Sequence, residues 1–177
     1  MEKRKLRAYI REQKRNYTPE QLECLSQRIT ATLLEEIKKK DDIRVILLYN
    51  SLPDEINTHS LINELHDKGI KVLLPTIVGE ELELHEYVSA SEMTISSSFN
   101  IQESTGPLFD DYSKIDLAII PGMGFTADGK RLGRGKGFYD RLLPHLQCPL
   151  YGLAFPFQIF SDIPTESHDV KMDYVIS

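Results

Sequence analysis

Residues 131–140 hold the densest potential chemistry in this chain. Gly133, Gly135 and Gly137 alternate with Arg134 and Lys136, and Arg131 stands just before them. Glycines at alternate positions let the backbone approach a ligand closely. Their N–H groups can line an anion nest, and a helix starting just beyond adds a positive end. Together with the three cations, this suits a triphosphate. The competing description is a flexible basic surface loop. The spacing is not that of the P-loop, where Gly-Lys is followed by Ser or Thr. Here Lys136 is followed by Gly137 and Phe138. The dinucleotide fingerprint is also absent.

Asp140, at the end of this segment, and three further groups of residues could join its chemistry. Asp140 lies one turn into the expected helix, where it can pair with a cation or hold Mg²⁺, which takes one or two carboxylates plus phosphate oxygens and water. Asp169 and Asp173 follow His168, and the plainer description of them is turn aspartates at a strand end. The stretch 51–58 follows an expected strand. It is either a ligand loop or a loop with a helix cap at Asn57 or Thr58. The first fifteen residues contain seven Lys or Arg against two acids. Lys3, Arg7, Arg11 and Lys14 form one helical stripe, either a solvated face or a phosphate contact. His59 and His66 are seven apart and lack zinc-site spacing.

These groups need elements to position them. Residues 3–15 read as a helix with Leu6, Tyr9 and Ile10 on its apolar stripe. Thr18, Pro19 and Gln21 mark a second helix start with a capping box. Leu22, Leu25, Ile29, Leu33 and Ile37 continue it at helical period, and Cys24 is expected in its core face. Residues 43–49, 70–75 and 115–121 are apolar runs typical of strands buried on both faces. A helix over 58–68 is stopped by Gly69. Residues 82–87 alternate like a more exposed strand, and the polar stretch 88–112 predicts loops and short elements. A helix over 137–143 ends at Pro144, and strands follow at 150–155 and 174–176. Alternating strands and helices predict an α/β domain with a mostly parallel sheet, its ligands gathered beyond the carboxyl ends of the strands.

With 177 residues, the chain is expected to form a single domain over 1–177. Its net charge of −6 argues against general nucleic-acid binding, which needs basic surface. Two local basic clusters on an acidic chain suit a small anion better than a long polyanion. The two cysteines suggest no disulfide framework, and no signal peptide or membrane span is evident. The expectation is a cytoplasmic monomer that binds neither membrane nor nucleic acid.

The sequence resembles the 5-formyltetrahydrofolate cyclo-ligase (methenyltetrahydrofolate synthetase) family over nearly its whole length. The most specific match is Gly129 to Asp140, containing the Arg-Leu-Gly-Arg-Gly-Lys-Gly-aromatic-Tyr-Asp string. Supporting matches are Lys3 to Arg7, Asp54 to Thr58, Pro121 to Phe125, Gly152 to Phe155, and His168 with Asp169. The resemblance implies a Rossmann-like α/β fold in the sugar-phosphate isomerase/CoA-transferase-like group. It also implies ATP as co-substrate, Mg²⁺, and 5-formyltetrahydrofolate as substrate.

By that resemblance Lys3, Arg4, Lys5, Leu6 and Arg7 belong to the nucleotide site. So do Arg131, Leu132, Gly133, Arg134, Gly135, Lys136, Gly137, Phe138 and Tyr139. Arg134, Gly135, Lys136, Gly137 and Phe138 also face the folate, with Leu52, Glu55 and Asn57 as further substrate contacts. Asn57 departs from the family, where an acidic residue is common, and Phe138 stands where Tyr is also frequent. Arg134, Lys136 and Tyr139 are the implied catalytic residues, and Asp140 and Asp169 the implied Mg²⁺ ligands. The implied reaction phosphorylates the formyl oxygen and then closes the ring through N10. The rival readings are a non-catalytic folate or nucleotide binder, and an isomerase or CoA-transferase-like enzyme with Glu55 as its loop carboxylate.

Overall fold

A computed structural model describes residues 2–95, 101–167 and 169–177. His168 lies outside the described residues. Helix α1 spans Lys3–Lys14, and α2 spans Pro19–Lys38. The capping box at the start of α2 forms as its residue types require. The Thr18 hydroxyl accepts the Gln21 N–H at 3.3 Å, and the Gln21 side chain accepts the Thr18 N–H at 2.8 Å. Thr18→Ala should lower stability by about 1 kcal/mol, read as a shifted midpoint with unchanged slope in urea denaturation.

The central sheet is built from β1 (Val45–Leu47), β2 (Lys71–Val78) and β3 (Glu81–Glu86). After β4 (Met93–Ile95) and β5 (Gln102–Ser104), which pair only with each other, it resumes with β6 (Leu108–Phe109) and β7 (Leu117–Ile120). Two short strands follow, β8 (Gly124–Thr126) and β9 (Arg131–Leu132), then α4 (Phe138–Leu142), β10 (Leu150–Leu153), β11 (Ile159–Phe160) and β12 (Tyr174–Ile176). Helix α3 (His59–Asp67) connects β1 to β2 and ends before Gly69, whose φ is +79°. The seven-stranded order is β12-β10-β7-β1-β2-β3-β6. The first five strands run parallel, and β3 is antiparallel to both its neighbours.

Period-two alternation explains the two apolar layers. Ile46, Val72, Leu74, Leu117 and Ile119 pack with Ile29, Leu33, Leu61 and Leu65 from α2 and α3. Leu47, Leu73, Ala118 and Ile120 point the other way, toward Leu142 and Leu143. Both faces are covered, which is why these strands read as continuous apolar runs. No helix among the described residues is long and apolar enough to cross a membrane.

Three expectations need correction. Cys24 is exposed, because the buried face of α2 runs through Ser26, Ile29, Leu33 and Ile37, and position 24 falls on the opposite side at 100° per residue. Helix α4 has only five residues before a 3₁₀ turn containing Pro144, so it offers little macrodipole to the glycine loop. A small sheet, β11-β8-β9, adds to the expected strands, because strands of two or three residues are too short to display a period. Leu6 and Ile10 of α1 dock on that sheet against Met123, Leu132 and Ile163.

Candidate active site

Strand β1 has β2 on one side and β7 on the other, so the loops leaving β1 and β7 part at the carboxyl edge of the sheet. Such a switch point opens a crevice. A cavity of about 370 Å³ occupies it. The β1 loop contributes Tyr49, Asn50, Leu52 and Glu55, and the β7 loop contributes Pro121 and Gly122. Strand β9 and the segment after it contribute Arg131 and residues 133–140. Pro75, Ile77 and Leu82 add an apolar wall, and Ile101, Gln102 and Glu103 close another side. A space of this size, with an apolar wall on one side and charged groups on the other, can hold a small ligand.

The glycine loop takes its shape from left-handed backbone. Gly135 and Gly137 have φ of +95° and +76°, values that L side chains rarely adopt. A Cβ on Gly137 would also lie 2.7 Å from Arg141 Nη1. Arg7 reaches over from α1, and its Nε donates to the Gly133 carbonyl at 2.8 Å. The first helix is therefore fastened to the loop, as well as to the core.

The cations of the site fall into two groups. Arg131 is buried, donates to the Pro121 carbonyl at 3.1 Å, and is ion-paired with Asp140. Burial lowers its pKa, while the charges of Asp140 and then of Asp169 favour its protonated form. Arg134 donates from Nη2 to Asp54 at 2.6 Å and from Nε to Glu55 at 3.0 Å. Glu55 is held in turn by the Leu52 N–H at 3.0 Å. Lys14, from α1, donates to the Asp54 carbonyl, and its pKa is lowered by burial against the opposing pull of Asp54. Lys136 is different. It is exposed, lines the cavity and has no ion-pair partner among the described residues. A cation left without a carboxylate is the one most ready for an incoming anion.

Tyr139 lies beside Arg131, whose guanidinium sits 5.8 Å from the ring centroid. Burial raises the Tyr139 hydroxyl well above its ordinary range, with Glu55 adding to the effect. Near pH 7 it is a neutral hydrogen-bond donor and no base.

The remaining candidates are spread more widely. Lys3 binds Asp169 at 2.9 Å and Glu166 at 3.0 Å, which joins α1 to the chain end. Arg4 and Lys5 are exposed and do not line the cavity. The side chains of Leu6 and Leu132 are buried in the core, so only their backbones remain for a ligand. Asn57 also lies outside the lining. Its side-chain amide donates to Glu23 at 2.9 Å, and its carbonyl accepts the His59 N–H at 3.0 Å, capping α3. The Thr58 hydroxyl is spent on the Tyr49 carbonyl at 2.6 Å.

Asp140 and Asp169 both act on Arg131, although no cluster of three His, Cys, Asp or Glu occurs among the described residues. Two hard carboxylates with no further protein ligands fit a Mg²⁺ that draws its other oxygens from phosphate and water. They would not suffice for a metal held by protein alone.

Several lining residues carried no signal in the sequence. Glu103 sits in the polar stretch 88–112, which has no clear period, Pro75 and Leu82 read simply as strand residues, and Ile77 falls between two expected strands. Lys14 and Asp54 are far apart in sequence, and only the docking of α1 brings them together.

Comparison with known proteins bears on the family and the fold. The 5-formyltetrahydrofolate cyclo-ligase family model matches residues 1–177. A 5-formyltetrahydrofolate cyclo-ligase of Mus musculus is 30% identical, over 98% of this chain and 92% of the relative. The solved 5,10-methenyltetrahydrofolate synthetase of Aquifex aeolicus superposes with a TM-score of 0.85 at 29% identity, covering 99% of this chain and 89% of that one. That of Mycoplasma pneumoniae gives 0.82 at 27% identity, covering 99% and 98%. A match that runs from the first residue to the last, in sequence and in fold, means that this chain belongs to the 5-formyltetrahydrofolate cyclo-ligase family.

Proposed function

We propose that residues 1–177 form one catalytic domain that converts 5-formyltetrahydrofolate and ATP to 5,10-methenyltetrahydrofolate, ADP and phosphate. The observation that carries this reading is the meeting, in one cavity, of an apolar wall with a glycine loop whose Lys136 has no ion-pair partner among the described residues. The wall suits a flat pterin, and the loop suits a phosphoryl group.

In this reading the formyl oxygen on N5 attacks the γ-phosphorus, and the bond from that phosphorus to the β,γ-bridging oxygen breaks, releasing ADP. The formyl group becomes an N5-iminium phosphate. The N10 lone pair then attacks its carbon, and the C–O bond breaks as the departing phosphate takes the N10 proton. An amide oxygen is a poor leaving group, and phosphorylation corrects that. The protein's part is positioning and charge neutralisation. Lys136 and Arg134 steady the transferred phosphoryl oxygens, and Tyr139 donates a hydrogen bond. Leu52 and Glu55 border the folate, while Arg7 keeps the loop under α1. Asp140 and Asp169 would hold Mg²⁺, which when bound neutralises phosphate charge. Asn57 bears on the substrate only through the shape of its loop. The protein acts as a monomer in this reading, and two free thiols suit a reducing cytoplasm.

The test is direct. Purified protein with folinate, ATP and Mg²⁺ should develop the near-ultraviolet absorbance of the methenyl product, with one ADP formed per turnover. Folded protein that gives neither signal would rule the reading out.

A further inference from the structure

Three carboxylates line the cavity among the described residues: Glu55, Asp140 and Glu103. Glu55 is paired with Arg134, and Asp140 with Arg131. Glu103 has no cation partner among the described residues. It is half-buried on β5, and its Oε1 accepts the Ile77 N–H of β2 at 3.0 Å. Its strand is tied on the other side by Asn50, whose amide donates to the Gln102 carbonyl at 3.1 Å. The carboxylate is thus held in place by backbone, with one oxygen uncommitted among the described residues and the other retaining a lone pair. It lines the cavity together with Ile77 and Leu82 of the apolar wall.

We infer that Glu103 is a specificity-determining residue that receives the 2-amino and N3–H donors of the pterin ring of the folate. This inference rests on the folate reading above and adds to it the orientation of the ring. A 2-amino-4-oxopyrimidine presents two adjacent N–H donors on one edge, at a spacing that matches the two oxygens of a carboxylate. Such bidentate, charge-assisted pairs are the stronger class of hydrogen bond. With that edge on Glu103, the ring faces lie along the apolar wall. The substituted edge carrying N5 and N10 is left to turn toward the loop that holds Lys136.

The experiment compares folinate with an analogue lacking the exocyclic 2-amino group, in wild-type protein and in Glu103→Gln. Wild-type turnover of folinate is measured first, and its absence would count against the folate reading itself. Given that turnover, wild-type kcat/KM should fall roughly 10- to 100-fold for the analogue, the effect of losing a hydrogen bond to a charged group. Glu103→Gln keeps an acceptor for the Ile77 N–H, so its melting temperature should change little. Its KM for folinate should rise by a similar factor with KM for ATP unchanged, and its discrimination between folinate and the analogue should largely vanish. A residue that merely supported β2 would not alter that discrimination. Equal use of both substrates by wild type would overturn the assignment. So would a Glu103→Gln variant with near-normal folinate KM or with the discrimination intact.

Discussion

Lys136→Met should lower kcat by at least about 100-fold, the scale of removing one pre-placed group that stabilises charge in a transition state. The variant should otherwise fold as wild type does. Lys136 is exposed and has no ion-pair partner among the described residues, so its removal strands no buried carboxylate. A surface change of this kind moves stability by no more than about 0.5 kcal/mol. Arg134 is a poorer probe of the same chemistry, because Glu55 would lose its cation, Asp54 one of its two, and the loop its anchor. Single-turnover formation of the methenyl product, with far-ultraviolet circular dichroism and a thermal melt as controls, separates the two effects. Turnover within threefold of wild type would remove Lys136 from the phosphoryl site.

Phe125→Ala should have the largest effect on stability of the changes considered. The ring is fully buried at 0% exposure and sits between two glycines. A Cβ on Gly122 would lie 2.5 Å from its Cζ, and one on Gly152 2.5 Å from its Cε1. No larger residue fits at either position without moving the ring. Phe125 thus fastens β8, in the small sheet, onto β10 of the central sheet. Truncation leaves a cavity that such tight packing cannot readily collapse, at a cost of about 3–5 kcal/mol. For a chain of this size that is a fall of roughly 6–20 °C in Tm. The effect should extend to activity, because β9 pairs with β8 and carries Arg131 into the site. Differential scanning calorimetry gives the first quantity, and kcat/KM below the melting transition gives the second. A Tm within 2 °C of wild type would show that the small sheet is held by other contacts.

Between them these two residues mark what could be read before the fold was known. The segment containing Lys136 carries its own evidence, since glycine and cation alternate over five residues and the chemistry is local. The capping box at Thr18 and Gln21 is local too, and both partners lie within one turn. The buried strands announce themselves because each is apolar on both faces, and that is a property of the run itself.

Phe125 by contrast reads as one more apolar residue after Pro121. Its importance comes from Gly122 and Gly152, the latter 27 positions away, which leave it room. The division of the cations was equally hidden. Arg131, Arg134 and Lys136 look alike in sequence. Only packing assigns Arg131 to Asp140 and Arg134 to the β1 loop, leaving Lys136 available. Glu103 lay in a stretch without period, and its place in the cavity depends on β5 lying against β2.

The sequence by itself determined the α/β alternation, the glycine-and-cation loop and the family, because periodicity and motif composition are short-range properties of the chain. The tertiary structure alone decided which charges neutralise one another, which remain free for a ligand, and which wall the ligand meets. Those depend on distances between residues that the chain order does not bring together.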